Sequence, residues 1–132
     1  MIDYSNPIFN RIAQKVWDVH GKNVKVVGEY VDTPKEFPCV AIDEIYNIPT
    51  ELDSGEPKYA AVTYRVQVFS NKRSGKRAEA REIYSTVADE MYSINLMGKT
   101  YTATPDVYNA NIYQIRGTFE GAIRKDGMIF RR

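Results

Sequence analysis

His20, Cys39 and Asp18 are the residue types from which a nucleophilic arrangement is built, an acid orienting a base that activates a thiol. Their contexts argue for structural roles instead. Cys39 stands in an apolar run with Val40 and Ile42, where a buried, inert thiol is the ordinary outcome. His20 closes a helical pattern, where a cationic side chain favours the helix dipole without further duty. Asp43-Glu44 and Asp89-Glu90 are adjacent carboxylates. Neighbours in a strand point to opposite faces, so Asp43 and Glu44 do not make one acid/base pair or a compact metal site. On a helix, Asp89 and Glu90 lie about 100° apart and read as solvated. Asn71-Lys72-Arg73-Ser74-Gly75-Lys76-Arg77 is a basic turn before a helix, a place that could hold an anion. It lacks the spacing of a P-loop, because Gly75 stands alone. The pattern points to no enzyme, no metal site and no cofactor.

Composition narrows the class further. The 132 residues are 43% hydrophobic and 27% charged, the profile of one globular domain over residues 1–132. A single Cys excludes an internal disulfide, and a single His excludes a histidine metal cage. No apolar run approaches the roughly 20 residues of a membrane span, and no signal-peptide pattern opens the chain. These totals lead to the expectation of a cytosolic, disulfide-free protein with no membrane partner. The formal charge of +1 shows no excess for nucleic acid or membrane, yet the charges are segregated. Glu29 to Lys58 carries eight acids and two bases, Arg65 to Glu82 six bases and two acids, and Tyr113 to Arg132 five bases and two acids. Two readings are open. The blocks neutralise each other inside one chain, or the acidic block of one copy meets the basic block of the next, a head-to-tail contact that closes into a ring. The 10 tyrosines form no nucleic-acid signature. Tyr64 and Tyr113 read as core, whereas Tyr46, Tyr59 and Tyr108 flank loops and could serve an interface.

The elements that position these residues are legible from periodicity. Asn6 as cap and Pro7 at the first turn open a helix to about Val19, with Ile8, Ile12 and Val16 inward, Trp17 at the edge of that face and Gly21 as the stop. Val24 to Val31 reads as a strand broken by the prolines of Asp32 to Pro38, and Cys39 to Tyr46 as a second strand. Asn47 to Lys58, with Pro49, Gly55 and Pro57 among acids, reads as a long exposed hairpin loop. From Tyr59 to Ser70, Val62, Tyr64, Val66 and Val68 alternate with Thr63, Arg65 and Gln67, a strand with one buried and one polar face. A second helix spans about Arg77 to Ile94 on a stripe of Ala80, Ile83, Val87, Met91 and Ile94, with Gly98 ending it. Tyr101 to Thr104 is a short strand. Asn111 to Lys125 is a long one, its face of Tyr113, Ile115, Phe119 and Ile123 shared with Gly117 and Gly121, which mark a bulge or a close backbone approach. Asp126-Gly127 turns the chain into a last strand, Met128 to Arg131. The order predicts an α+β two-layer domain, a mainly antiparallel sheet with two helices on one face.

Several blocks then carry a resemblance. Phe37-Pro38-Cys39-Val40-Ala41-Ile42-Asp43-Glu44, Tyr64-Arg65-Val66-Gln67-Val68-Phe69-Ser70-Asn71-Lys72, the helix after Gly75-Lys76 and the ending Asp126-Gly127-Met128-Ile129-Phe130-Arg131-Arg132 resemble the tail terminator, or tail-completion, proteins of long-tailed phages and prophages of Gram-positive bacteria. The resemblance implies a structural virion protein of the tail and neck, assembled in the bacterial host cytoplasm. It would form a ring, typically hexameric, on the end of a completed tail tube, stop tube growth and present a joining surface to the head–neck connector. Its partners would be its own copies, the tail tube protein and neck proteins, with DNA passing a central channel without sequence-specific contact. No catalytic residues or cofactors come with the family. Contacts with neighbours or tube are placed on Glu51, Asp53, Glu56 and Lys58 of the acidic segment and on Lys72, Arg73, Lys76 and Arg77 of the basic turn. Two alternatives stand beside this reading: a head-closure or adaptor protein of the neck, and a small nucleic-acid-binding module using Lys72 to Arg77 and the Arg131-Arg132 end.

Overall fold

Alternation of apolar and polar residues after Lys58 builds the middle strand of the molecule. The structure, a computed structural model, describes residues 1–53, 56–105 and 110–131. In chain order the elements are α1 (Ser5–His20), β1 (Lys25–Val27), β2 (Cys39–Asp53), β3 (Glu56–Ser70), α2 (Lys76–Ser93), β4 (Met97–Pro105), β5 (Tyr113–Arg124) and β6 (Ile129–Phe130). The strands form one sheet in the order β1-β2-β3-β5-β4, with β6 pairing the far end of β5. Every pairing is antiparallel except β1 with β2, where the crossover through residues 28–38 returns the chain in the same direction. The α+β architecture read from the sequence is therefore the one observed.

Both helices pack on one face. Ile8, Ile12, Ala13 and Val16 of α1 and Ala80, Ile83, Tyr84, Val87 and Met91 of α2 are buried against Val40, Ile42, Val62, Tyr64, Val66, Val68, Ile115, Phe119 and Ile123. These sheet residues all occupy the same side of the pleat, as their spacing requires. Arg11 of α1 donates to Glu90 of α2 at 2.7 Å, so Glu90 is an ion-pair partner rather than the solvated acid expected, while Asp89 is exposed. Trp17 is half-buried and donates to the Val24 carbonyl at 2.9 Å, which ties the end of α1 to the entry of β1.

Other boundaries differ from expectation for physical reasons. The first helix starts two residues earlier, at Ser5, with Tyr4 as the capping residue and the Asp3 carboxylate accepting from the Ser5 N–H and hydroxyl. The second helix closes at Ser93 and Asn95 takes the left-handed turn (φ 67°), so Gly98 lies in β4 and that strand runs nine residues. The first strand is only three residues long. Beyond it the chain, through Val31 and Phe37, crosses the face of the sheet opposite the helices. There Gln67 donates to the Val31 carbonyl (2.9 Å) and accepts from its N–H (3.1 Å). The face expected to remain polar is thus partly covered: Gln67 is fully buried, and Cys39, Phe69 and Ile112 form a second small core beneath Val27, Val31 and Phe37.

The segment read as an exposed hairpin loop, Asn47 to Lys58, is corrected by the pairing. After a register shift between Glu44 and Tyr46, strands β2 and β3 stay paired to Asp53↔Glu56. Asn47 to Thr50 therefore continue the sheet beside β5-bound residues of β3, and only the part beyond Thr50 and Tyr59 projects as a two-stranded ribbon. Tyr46, Ile48 and Thr50 alternate as a strand requires, and Pro49 is tolerated because β1 covers only Cys39 to Ala41 and leaves the outer half of β2 as an edge among the described residues.

Gly117 and Gly121 mark a close approach, not a bulge, since the β3–β5 register runs unbroken from Tyr59↔Arg124 to Ser70↔Tyr113. A methyl built on Gly117 would overlap the Tyr84 hydroxyl, and one on Gly121 would meet Leu96 Cδ2 at 2.8 Å. The glycines are seats for side chains of α2 and of the turn after it. Gly117→Ala is expected to destabilise the chain by about 1–3 kcal/mol in urea unfolding. Adding Tyr84→Phe should restore part of that loss; equal stability of Gly117→Ala and the parent would refute the seat.

Candidate functional site

Among the described residues, the side chains singled out for their chemistry are held apart. His20 shares a 2.7 Å hydrogen bond with Thr86 of α2, and Asp18 accepts from Gln14 one turn away. Cys39 instead packs with Phe69 and Ile112 in the second core. Burial pushes its thiol up to about 11, with Glu36 adding to the rise and Lys25 opposing it. Asp43 and Glu44 diverge across the sheet as their strand neighbours dictate. Arg65 grips Asp43 with Nε–Oδ1 at 3.1 Å and Nη2–Oδ2 at 2.6 Å. On the opposite face Glu44 accepts from the Tyr64 hydroxyl at 2.6 Å and from Asn47 at 2.9 Å. Burial, reinforced by that bond to Glu44, raises the Tyr64 phenol far above its ordinary value. Among the described residues no group of three or more His, Cys, Asp or Glu side chains could hold a metal ion. No described helix is long and apolar enough to cross a membrane.

What the fold does assemble is a basic hollow at one end of the sheet. Chain direction reverses after Ser70, whose hydroxyl donates to Glu79 at 2.7 Å and accepts from the Lys72 N–H at 3.3 Å. Gly75, at φ 85°, then caps α2. This turn presents Lys72, Arg73 and Lys76 around a hollow of about 500 Å³ with Phe37, Asn71, Asn111 and Ile112. Arg77 is exposed but does not line it.

The acidic segment lies at the other end. Glu51, Asp53 and Glu56 fall on the β2–β3 ribbon, and their side chains are outside the described residues, as is Tyr108. Lys58 is exposed, its ammonium 5.6 Å from the Tyr59 ring centre. The ribbon end and the basic turn are joined by the 15 residues of β3, a span of about 50 Å at ~3.3 Å per residue. Screening at physiological ionic strength acts over about 8 Å, so these two ends cannot neutralise each other within one chain. Between them neutralisation is internal, as the Asp43–Arg65 pair shows. The sequence displayed the charge blocks but not their separation, which follows from the length of one uninterrupted strand.

A back-face cluster had no sequence signal. The Arg65 guanidinium lies 4.5 Å from the Tyr30 ring centre and that of Arg116 5.8 Å from it. Arg116 Nε is buried without a hydrogen-bond acceptor. Tyr30 reaches this position only because residues 28–38 cross the sheet, a path that local pattern does not encode.

No protein-family model matches the sequence, and no curated protein matches it. Among solved structures, the chain is similar to a chain of the virion of the native gene transfer agent (GTA) particle, with 14% identity over 84% of this chain and 90% of that one and a TM-score of 0.55. It also aligns with the bacteriophage SPP1 gp17 protein at 17% identity over 86% of this chain and 89% of that one, with a TM-score of 0.37. The first likeness is one of fold: the same arrangement of elements is used by a virion chain.

The Cys39 thiol offers a direct check on this geometry. A rise from 9.0 to about 11 leaves about a hundredth of the usual thiolate at neutral pH. Iodoacetamide labelling at pH 8 is expected to be at least ~100-fold slower in the folded chain than in urea, and to rise with pH until about 11. Comparable rates in the two states would show that the second core does not enclose the thiol.

Proposed function

We propose that this chain is a structural protein of a phage tail or tail-like particle, one domain over residues 1–132 that assembles as a ring of about six copies on the end of the tail tube. In this reading it stops tube growth and presents a surface to the neck, leaving a channel through which DNA passes, and it performs no catalysis. Three considerations support it: the resemblance of its sequence blocks to tail terminators, the likeness of its fold to a chain of the GTA virion, and the placement of its charges. The last carries most weight. A chain of +1 overall holds an acidic ribbon, with Lys58 and Arg124 at its base, and a basic hollow about 50 Å away, two separate charged features to offer to partners. In a ring whose axis runs within about 45° of the strands, the ribbon carrying Glu51, Asp53, Glu56 and Lys58 lies toward one side, and the turn of Lys72, Arg73, Lys76 and Arg77 toward the other. One side meets the tube and the other the neck.

Light scattering with negative-stain imaging, and binding to purified tail tubes, test the reading together. A ring of about six copies, or a monomer that caps tube ends, supports it. A protein that does neither but binds portal-side rings is a head-closure or adaptor protein instead. Salt-sensitive binding to DNA by the isolated chain would favour the nucleic-acid module, since counterion release makes such affinity fall steeply with salt.

Each exposed pair contributes only about 0.2–1 kcal/mol, so the charge test must reverse several positions at once. The combined variant Lys72→Glu, Arg73→Glu, Lys76→Glu and Arg77→Glu is expected to keep the parent's circular dichroism and melting profile while losing tail-end assembly. Normal capping by this variant would remove the basic turn from the interface.

A further inference from the structure

The sheet has two open edges, and they match. At one side β4 ends the strand order, paired with β5 alone among the described residues. Its residues Gly98 to Thr102, Thr104 and Pro105 are exposed, and a register shift between Gly98 and Thr100 leaves Thr100 to Thr104 as a regular stretch. On the other side β1 covers only Cys39 to Ala41 of β2. Beyond it the outer half of β2 runs from Tyr46 to Asp53 with no partner on that edge among the described residues, and Tyr46 (59%) and Ile48 (54%) are exposed. Open edges of this length are templates for pairing with another strand.

We infer that the β4 edge of one copy pairs with the outer half of β2 of the next, joining the sheets of neighbouring copies. This rests on the ring reading above and names the lateral contact that such a ring needs. Three observations select a second copy as the occupant. First, β2, β3, β5 and β4 alternate in direction, so the antiparallel path contains an even number of strands. Rotation of a copy about an axis near the strand direction brings β2 antiparallel to β4, and the alternation continues across the joint.

Second, the edges differ in charge. β4 holds Lys99 as its only charged residue, and Tyr46 to Asp53 holds Glu51 and Asp53 with no base. Third, the faces agree. Tyr46 and Ile48 oppose Thr63 and Ala61, and Thr100 and Thr102 oppose Thr118 and Arg116, so all four project from the side away from the helices.

The required slip also fits. Four strands at ~4.8 Å span about 19 Å, and strands tilted ~35–45° to a ring axis offset successive copies by about 13–19 Å, or four to six residues. That offset, in the direction that clears β1, brings Tyr46 to Asp53 alongside β4. Pro49 supplies no N–H, so the joint is a short ladder and not an unlimited edge.

Cysteine trapping tests the pairing. Ile48→Cys protein is mixed with Thr100→Cys or Thr102→Cys protein and oxidised, the native Cys39 being buried (2%), with light scattering on the parent at the same concentration. Mixed Ile48–Thr100 or Ile48–Thr102 dimers in excess over either homodimer are expected, together with exchange of the Thr100 to Thr104 amides about tenfold slower in the assembly than in the dilute monomer. A ring without mixed disulfides or that protection overturns the edge contact and leaves the ring reading standing. Homodimers of the Thr102→Cys protein in excess would mean a two-fold β4–β4 contact and also overturn it. A chain that is monomeric in solution is cross-linked on purified tail tubes; tube-bound copies without mixed disulfides overturn the contact, and tube binding itself decides the ring reading separately.

Discussion

The ladder along β3 is the constraint on which the rest of the molecule depends. From Tyr59 to Phe69 this strand is paired on both sides, by β2 and by β5, and its Val62, Tyr64, Val66 and Val68 side chains form the floor on which both helices pack. A strand advances about 3.3 Å per residue and a helix only 1.5 Å. The 16 residues of α1 and 18 of α2 therefore reach about 24–27 Å, roughly half the length of β3. The sheet outruns its helical cover, and the excess emerges as the β2–β3 ribbon. A projecting acidic ribbon, an open edge on β2 and a basic turn at the far end all follow from that mismatch.

Helix-to-sheet packing is held by the absence of side chains at chosen points. Gly117 and Gly121 let Tyr84 and Leu96 come down onto β5, and the Tyr84 ring then meets Tyr101 of β4 at 5.3 Å, edge to face. Burial raises the Tyr84 phenol to about 12, so it stays neutral over the whole physiological range. On the opposite face the same sheet is closed by residues 28–38, held to β3 through the paired hydrogen bonds of Gln67 with Val31. A fully buried amide satisfied by one backbone unit fixes where that crossing lies, since shifting it would strand both of its polar groups.

The titratable groups that could have done chemistry are each engaged structurally: His20 with Thr86, Asp43 with Arg65, Glu44 with Tyr64. What the fold offers outward is polarity of charge along the strands and unpaired backbone across them. A body with separate charged features at its two ends and lateral open edges is suited to repetition around an axis, which is how the proposed ring and its edge contact come to share one geometry.

Much of this was legible in the residues. Period-two alternation in Tyr59 to Ser70 and Asn111 to Lys125, and the apolar stripes of the two helices, specify the elements and the face each buries, because side-chain direction is fixed by local backbone geometry. The α+β class followed, and so did the divergence of Asp43 from Glu44, while the glycines left a bulge or a close approach open until the register decided for the latter. Tertiary structure decided the rest. Acidic, proline-bearing Asn47 to Lys58 reads locally as a loop, and only ladder pairing with a long partner makes it a ribbon. The burial of Gln67 and the stacking of Tyr30 over Arg65 depend on where a crossing segment lands, which no local period records. The charge blocks were plain in the chain, but their meaning waited on distance. Coulomb attraction depends on separation in space, and it was the uninterrupted length of β3 that set the two ends about 50 Å apart.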